Sequence, residues 1–123
     1  MNQKPISATE DVFRDNCSMS AILVLCTCPD SVCAERIATT LVEEHLAACV
    51  NRIAGIESIY RWQGKVCRDS EYLLLIKTTN DRFDVLRDRI VALHPYDTPE
   101  IIAAEITRGL QPYLHWIASE SRG

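Results

Sequence analysis

Residues able to ligate a soft metal or do acid–base work fall at two places, Cys26-Thr27-Cys28 and His94-Pro95-Tyr96-Asp97-Thr98-Pro99-Glu100. The two cysteines end an apolar run with strand character. Their spacing of two puts both side chains on one face. A helix is predicted to start just beyond them, a position that favours a thiolate. In the second segment each proline fixes its own φ and drives the preceding residue, His94 or Thr98, out of the helical region. The segment is therefore a stiff, extended connector with an imidazole at one end and a carboxylate at the other. A short loop would join a helix to a strand equally well. The connector is thus either a well-made turn whose His94 and Glu100 cap backbone groups or one wall of a binding site.

If Cys26, His94 and Glu100 converge, three chemistries stay open. Thiolate, imidazole and carboxylate suit copper or zinc. Cys with His also makes a nucleophile and its base. The third option is structural, with Cys26 in the core and His94 bonded to backbone. Cys28, Tyr60, Trp62, Lys77 and Tyr96 are further candidates for a cleft or an interface. Tyr60 and Trp62 lie two apart on one strand and share a face, as an interfacial aromatic pair would. Lys77 ends an apolar run, where a lysine extends its charge to solvent.

The elements that must position these residues follow from the pattern. Ala21–Cys26 is apolar on both faces, which predicts a central strand covered on both sides. Asp30 or Ser31 can cap a helix whose inner stripe is Ala34, Ile37, Ala38, Leu41 and Val42, ending near His45–Ala47. From Ala48 to Trp62 β-branched and aromatic residues take over, with Gly55 marking a bulge or bend and Gln63-Gly64 a hairpin turn. The return strand runs from Lys65 towards Thr79, and Tyr72–Ile76 again reads as covered on both faces. Asn80 or Asp81 then caps a helix with Phe83, Leu86, Ile90 and Leu93 inward. After the connector come a strand, Ile101–Thr107, and a short helix with Pro112 at its first position.

The order β-α-β-β-α-β plus a C-terminal helix is α+β. With right-handed crossovers it closes as a ferredoxin-like sandwich of strand order 4-1-3-2, both helices on one face. The second strand is then a long edge carrying Tyr60 and Trp62, an aggregation hazard unless another copy pairs with it. A closed, cyclic oligomer is expected. Residues 1–18 read as a flexible tail and 19–123 as one domain.

Composition narrows the partners. With 123 residues the chain has enough length for a core without staples. A net charge of −4 and a pI near 5.3 argue against nucleic acid and anionic membranes. No apolar run nears the roughly 20 residues of a membrane helix, and the N-terminus has no secretory apolar core, so the cytoplasm is expected. The six cysteines include no C-x-x-C and no paired zinc-knuckle spacing, and reduced thiols are expected. Four glycines and no phosphate loop leave nucleotide binding without a motif.

Five segments together carry a resemblance. They are Ala21-Ile-Leu-Val-Leu-Cys-Thr-Cys-Pro29, Leu46-Ala-Ala-Cys-Val-Asn51, Gly55-Ile-Glu-Ser-Ile-Tyr-Arg-Trp-Gln-Gly64, Leu75-Ile-Lys-Thr78 and His94-Pro-Tyr-Asp-Thr-Pro-Glu-Ile101. In order and spacing the chain resembles the CutA divalent-cation tolerance family over roughly residues 20–118. The resemblance implies a ferredoxin-like trimer of PII-like architecture, joined through its edge hairpin strands. It implies binding of copper, or other divalent cations such as zinc, in metal tolerance, and brings no settled enzyme activity or protein partner. The ligand positions it implies are Cys26 and His94, with Glu100 a further candidate. Leu93 stands where some members carry a second histidine, which lowers the expected affinity; Cys28 is an extra thiol in a place to compensate. The alternative expectation is a PII-like signalling or scaffold trimer whose inter-subunit clefts bind a small ligand or a protein partner.

Overall fold

The computed structural model describes residues 20–122, so the expectation for the tail at 1–18 lies outside the described residues. Strand β1 (Ala21–Cys28) leads to helix α1 (Ser31–Glu43), then to β2 (Cys49–Trp62) and β3 (Lys65–Thr79). A 3-10 turn (Asn80–Arg82) precedes α2 (Phe83–Leu93), followed by β4 (Ile101–Glu105) and α3 (Gln111–Glu120). The four strands form one antiparallel sheet in the order β2-β3-β1-β4, the arrangement expected of a ferredoxin-like α+β sandwich.

Local chemistry accounts for most boundaries. Asp30 caps α1, its carboxylate accepting from the Cys33 amide at 2.8 Å. The helix stops at Glu43 because His45 turns left-handed at φ 58°, and the Leu46 and Ala47 amides fold back onto the Leu41 carbonyl. Gln63 and Gly64, both at positive φ, make the tight turn of the β2–β3 hairpin. Three boundary expectations needed correction, the first being that the last strand, expected through Thr107, ends at Glu105. Neither Asn80 nor Asp81 caps α2; both belong to the 3-10 turn, where the Asp81 carboxylate accepts from Thr79 Oγ1. Pro112 is the second residue of α3, which begins at Gln111.

Gly55 has a larger consequence. Three steps on β2, from Ile53 to Ile56, are matched by two on β3, from Leu73 to Glu71, so one extra residue is inserted there. Gly55 sits in that insertion at φ 74°, open to a glycine and strained for any other residue. A one-residue slip exchanges the faces of everything beyond it. Ile56, Ser58, Tyr60 and Trp62 therefore share the face of Ile53 and Leu73 rather than the opposite one.

Helices α1 and α2 cover one face. Ile22, Val24 and Cys26 from β1, Leu74 and Ile76 from β3, Ile37 and Leu41 from α1, and Leu86 and Ile90 from α2 are sealed there. Val42, assigned to the inner stripe, is instead exposed. Among the described residues no helix lies over the other sheet face, and α3 packs at the sheet end against Ala21 and Ala48. Leu23, Leu25, Leu73 and Leu75 are accordingly half-buried, and Ile53 and Ile102 exposed. The central strands, expected to be covered on both faces, are covered by the described residues on one.

Replacing Gly55 with Ala should cost about 1–2 kcal/mol of folding stability, since the left-handed backbone is kept and strained. Asp30→Ala should cost about 1 kcal/mol through the lost cap. Equilibrium urea unfolding checks both; a change below a few tenths for Gly55→Ala would mean that the bulge relaxes.

Candidate functional site

Cys26 and Cys28 alternate with Thr27 so that both point to the helix-covered face, as the spacing predicts, and both are fully buried. His94 is the residue at which α2 ends. Its backbone is extended (φ −82°, ψ 139°), as the following proline demands, while its amide still bonds Ile90 O at 2.8 Å. That bend carries the imidazole under the end of β1, where it is 93% buried. One donor atom each from Cys26, Cys28 and His94 then lies within 4.8 Å of the others.

The hydrogen bonds define the state of the ring. The Tyr96 amide donates to Nδ1 at 3.2 Å, so Nδ1 is an acceptor. In a neutral ring the proton is then on Nε2, which donates to the Thr27 carbonyl at 2.7 Å. The β1–β4 ladder ends at Cys26↔Ile101, and His94 takes up the next carbonyl of β1. With both nitrogens bonded to backbone, His94 is not poised to deprotonate a cysteine. The Cys26 thiol itself makes a long contact to Thr27 O at 3.8 Å.

The Cys28 thiol is not activated in the way the nearby helix start suggested. Hydrogen bonding to Cys26 and burial push the Cys28 thiol well above an ordinary cysteine. Burial, helped by Cys28, pushes Cys33 up to about 12. Cys33, on the first turn of α1, thus extends the thiol group to three. The Cys28-x4-Cys33 spacing spans a strand–helix corner, and nothing in it announces this proximity. All five cysteines among the described residues are free.

The donor set fits a soft or borderline ion. Donors around one ion at 2.0–2.3 Å are at most about 4.6 Å apart, close to the observed spread. Two sulfurs and one imidazole are the ligands copper and zinc prefer. Since all three are shielded from solvent, an ion reaches them only if the connector yields.

Glu100 does not join this group. It lies beyond the second proline, exposed, and lines a separate cleft of about 520 Å³ with Tyr60, Trp62, Glu71 and Tyr96. Thr27 also lines that cleft and pairs with Leu73, which places it on the uncovered face. The connector therefore straddles the end of β1, with His94 on the helix side and Tyr96 on the other. Cys28, grouped at first with the cleft residues, belongs to the thiol pocket. Lys77 is in neither place; it lies on the uncovered face and hydrogen-bonds Asn51 Oδ1. Glu71 was not singled out from the sequence. Its only signal there is a charge directly before the apolar run Tyr72–Ile76.

Comparison with known proteins agrees with this architecture. A sequence profile described as CutA1 divalent ion tolerance protein matches residues 22–120. The Divalent-cation tolerance protein CutA of Thermus thermophilus is 54% identical over 95 residues, covering 77% of this chain and 92% of that protein. The Arabidopsis thaliana Protein CutA, chloroplastic, is 40% identical over 121 residues; the match covers 98% of this chain and 66% of that relative's length. The solved structure of the divalent cation tolerance protein from Thermus thermophilus superposes with a TM-score of 0.80 at 51% identity, over 81% of this chain and 97% of that one. With most of its length matched by both sequence and structure, the chain belongs to the CutA1 divalent ion tolerance protein family.

Proposed function

We propose that this chain is a copper-binding protein of divalent-cation tolerance that works as a homotrimer in the cytoplasm and catalyses no reaction. The observation that carries the reading is the convergence of Cys26, Cys28 and His94 within 4.8 Å. Cys26 and His94 are the primary ligands and Cys28 the third. The extra thiol stands in for the second histidine that Leu93 replaces. Zinc is the other ion this donor set suits. Binding exchanges at least one His94–backbone hydrogen bond for a metal bond and releases thiol protons.

Assembly is supported by the uncovered sheet face. Leu23, Leu25, Leu73 and Leu75 have strand patterns made for burial, and in one chain they are only half covered. A β2 edge fourteen residues long lies beside them. A cyclic trimer covers both and leaves no free edge to propagate. The free thiols favour a reducing compartment, and no helix among the described residues is long and apolar enough to cross a membrane.

Native mass spectrometry of the reduced protein with a small excess of Cu(I) should show three chains and one ion per chain. Cys26→Ser with His94→Ala should abolish uptake, and Cys28→Ser should weaken it at least tenfold. Glu100→Gln should leave it unchanged, because Glu100 lies across the sheet end. Equal uptake by the double variant would sink the metal assignment and leave the fold standing. Separately, Leu73→Glu on the uncovered face should convert the assembly to single chains; trimers persisting in that variant would rule this face out as the interface.

A further inference from the structure

The cleft across the sheet end from the thiols has a chemistry of its own. Glu71 and Glu100 line it, and among the described residues no Lys, Arg or His does. Asp69 lies next to it, accepting a hydrogen bond from Tyr60 OH. Glu71 is 93% buried. Among the described residues its one partner is the Tyr96 hydroxyl, which donates to Oε2 at 3.3 Å. Oε1 has none. The Glu71 carboxylate borders the cleft, so a cation seated there would meet a largely buried acid held by one long hydrogen bond.

A bare metal ion is not that cation. Outside Cys26, Cys28 and His94, no three His, Cys, Asp or Glu donors gather closely enough among the described residues to hold one. The cleft volume of about 520 Å³ is that of a small-molecule site. Tyr60, Trp62 and Tyr96 form much of its surface, and aromatic faces attract ammonium groups. The acidic surroundings also act on the two phenols. Hydrogen bonding to Asp69 pushes Tyr60 up to about 12, and burial together with Glu71 raises Tyr96, so both rings stay neutral.

We propose that this cleft binds a small organic ammonium ion, its charged nitrogen at Glu71 and its hydrocarbon part against Tyr60, Trp62 and Tyr96. The site is distinct from the thiol pocket, and its occupancy does not require Cys26. Tyr60 and Trp62 are there because the bulge at Gly55 moved them to this face.

The test follows the indole 15N–1H resonance of Trp62, assigned with Trp62→Phe, as the full-length protein is titrated. The probes are 1,4-diaminobutane and tetramethylammonium, with 1,4-butanediol as the uncharged counterpart and Mg²⁺ as the hard-metal control. Either amine should give a saturable shift with a Kd of about 1 mM or lower, and the diol none. Glu71→Gln, nearly isosteric, should weaken the amine at least tenfold, while Cys26→Ser should not change it. If Glu71→Gln does not fold, Tyr60→Leu at its exposed position should weaken tetramethylammonium several-fold. No saturable shift with either amine would overturn the proposal, as would a diol that binds equally. So would Mg²⁺ that displaces the amine, or a Kd untouched by Glu71→Gln. A cleft filled by a second copy of the chain shows the first of these results and overturns it as well.

Discussion

The hydrogen bond from His94 Nε2 to the Thr27 carbonyl ties together everything at this end of the sheet. It joins residues 67 positions apart and fastens the 94–100 connector to the last turn of β1 that β4 does not reach. With Nδ1 accepting from the Tyr96 amide, one buried ring fixes both the direction of the chain leaving α2 and the position of Tyr96. Neutral hydrogen bonds of this kind contribute roughly 1 kcal/mol each, but the cost of leaving the buried ring and carbonyl unpaired is larger. That asymmetry keeps the connector in place more firmly than its two prolines alone.

Under the proposed metal binding, the same ring would have to do two things that compete. An imidazole nitrogen that donates or accepts a backbone hydrogen bond has no lone pair left for an ion. A metal at Nε2 must displace the Thr27 carbonyl, and one at Nδ1 must displace the Tyr96 amide. Either exchange loosens the connector at a point where Tyr96 also bonds Glu71. The thiol pocket and the cleft are therefore mechanically adjacent though they lie on opposite faces, with Thr27 and Tyr96 between them. A soft ion with two thiolates recovers far more than the hydrogen bond it breaks; a hard ion, held weakly by sulfur, does not.

How much of this could be read beforehand depended on whether the signal was local. Asp30 as a cap, Gln63-Gly64 as a turn and Cys26 with Cys28 on one face each rest on a few neighbouring residues, and each is found as expected. Gly55 was recognisable as a bulge, but its effect was not. The pairing register had to be known before Tyr60 and Trp62 could be assigned to a face. Glu100 was grouped with His94 because they lie six positions apart on one connector, and proximity in sequence hid the fact that the connector crosses from one side of the sheet to the other. Glu71 was not singled out, since its hydrogen-bond partner Tyr96 lies 25 positions away.

The double-sided apolar pattern of β1 and β3 teaches something different. Hydrophobic periodicity reports that a residue is built for burial and says nothing about which chain supplies the cover. Leu23, Leu25, Leu73 and Leu75 cannot be covered by α1 and α2, which are committed to the other face, and α3 is too short and too far along the sheet. Each leucine left half exposed forgoes on the order of 1 kcal/mol of the burial its strand was patterned for. Four such positions in one contiguous patch make a lone chain less stable than its sequence equips it to be. Association through this face recovers that energy. It would also bring more protein against the rim of the cleft, because Tyr60 and Trp62 stand on the same side of the sheet as those leucines. The bulge at Gly55 thus decides whether the aromatic pair stands on the uncovered face beside those leucines or on the helix side.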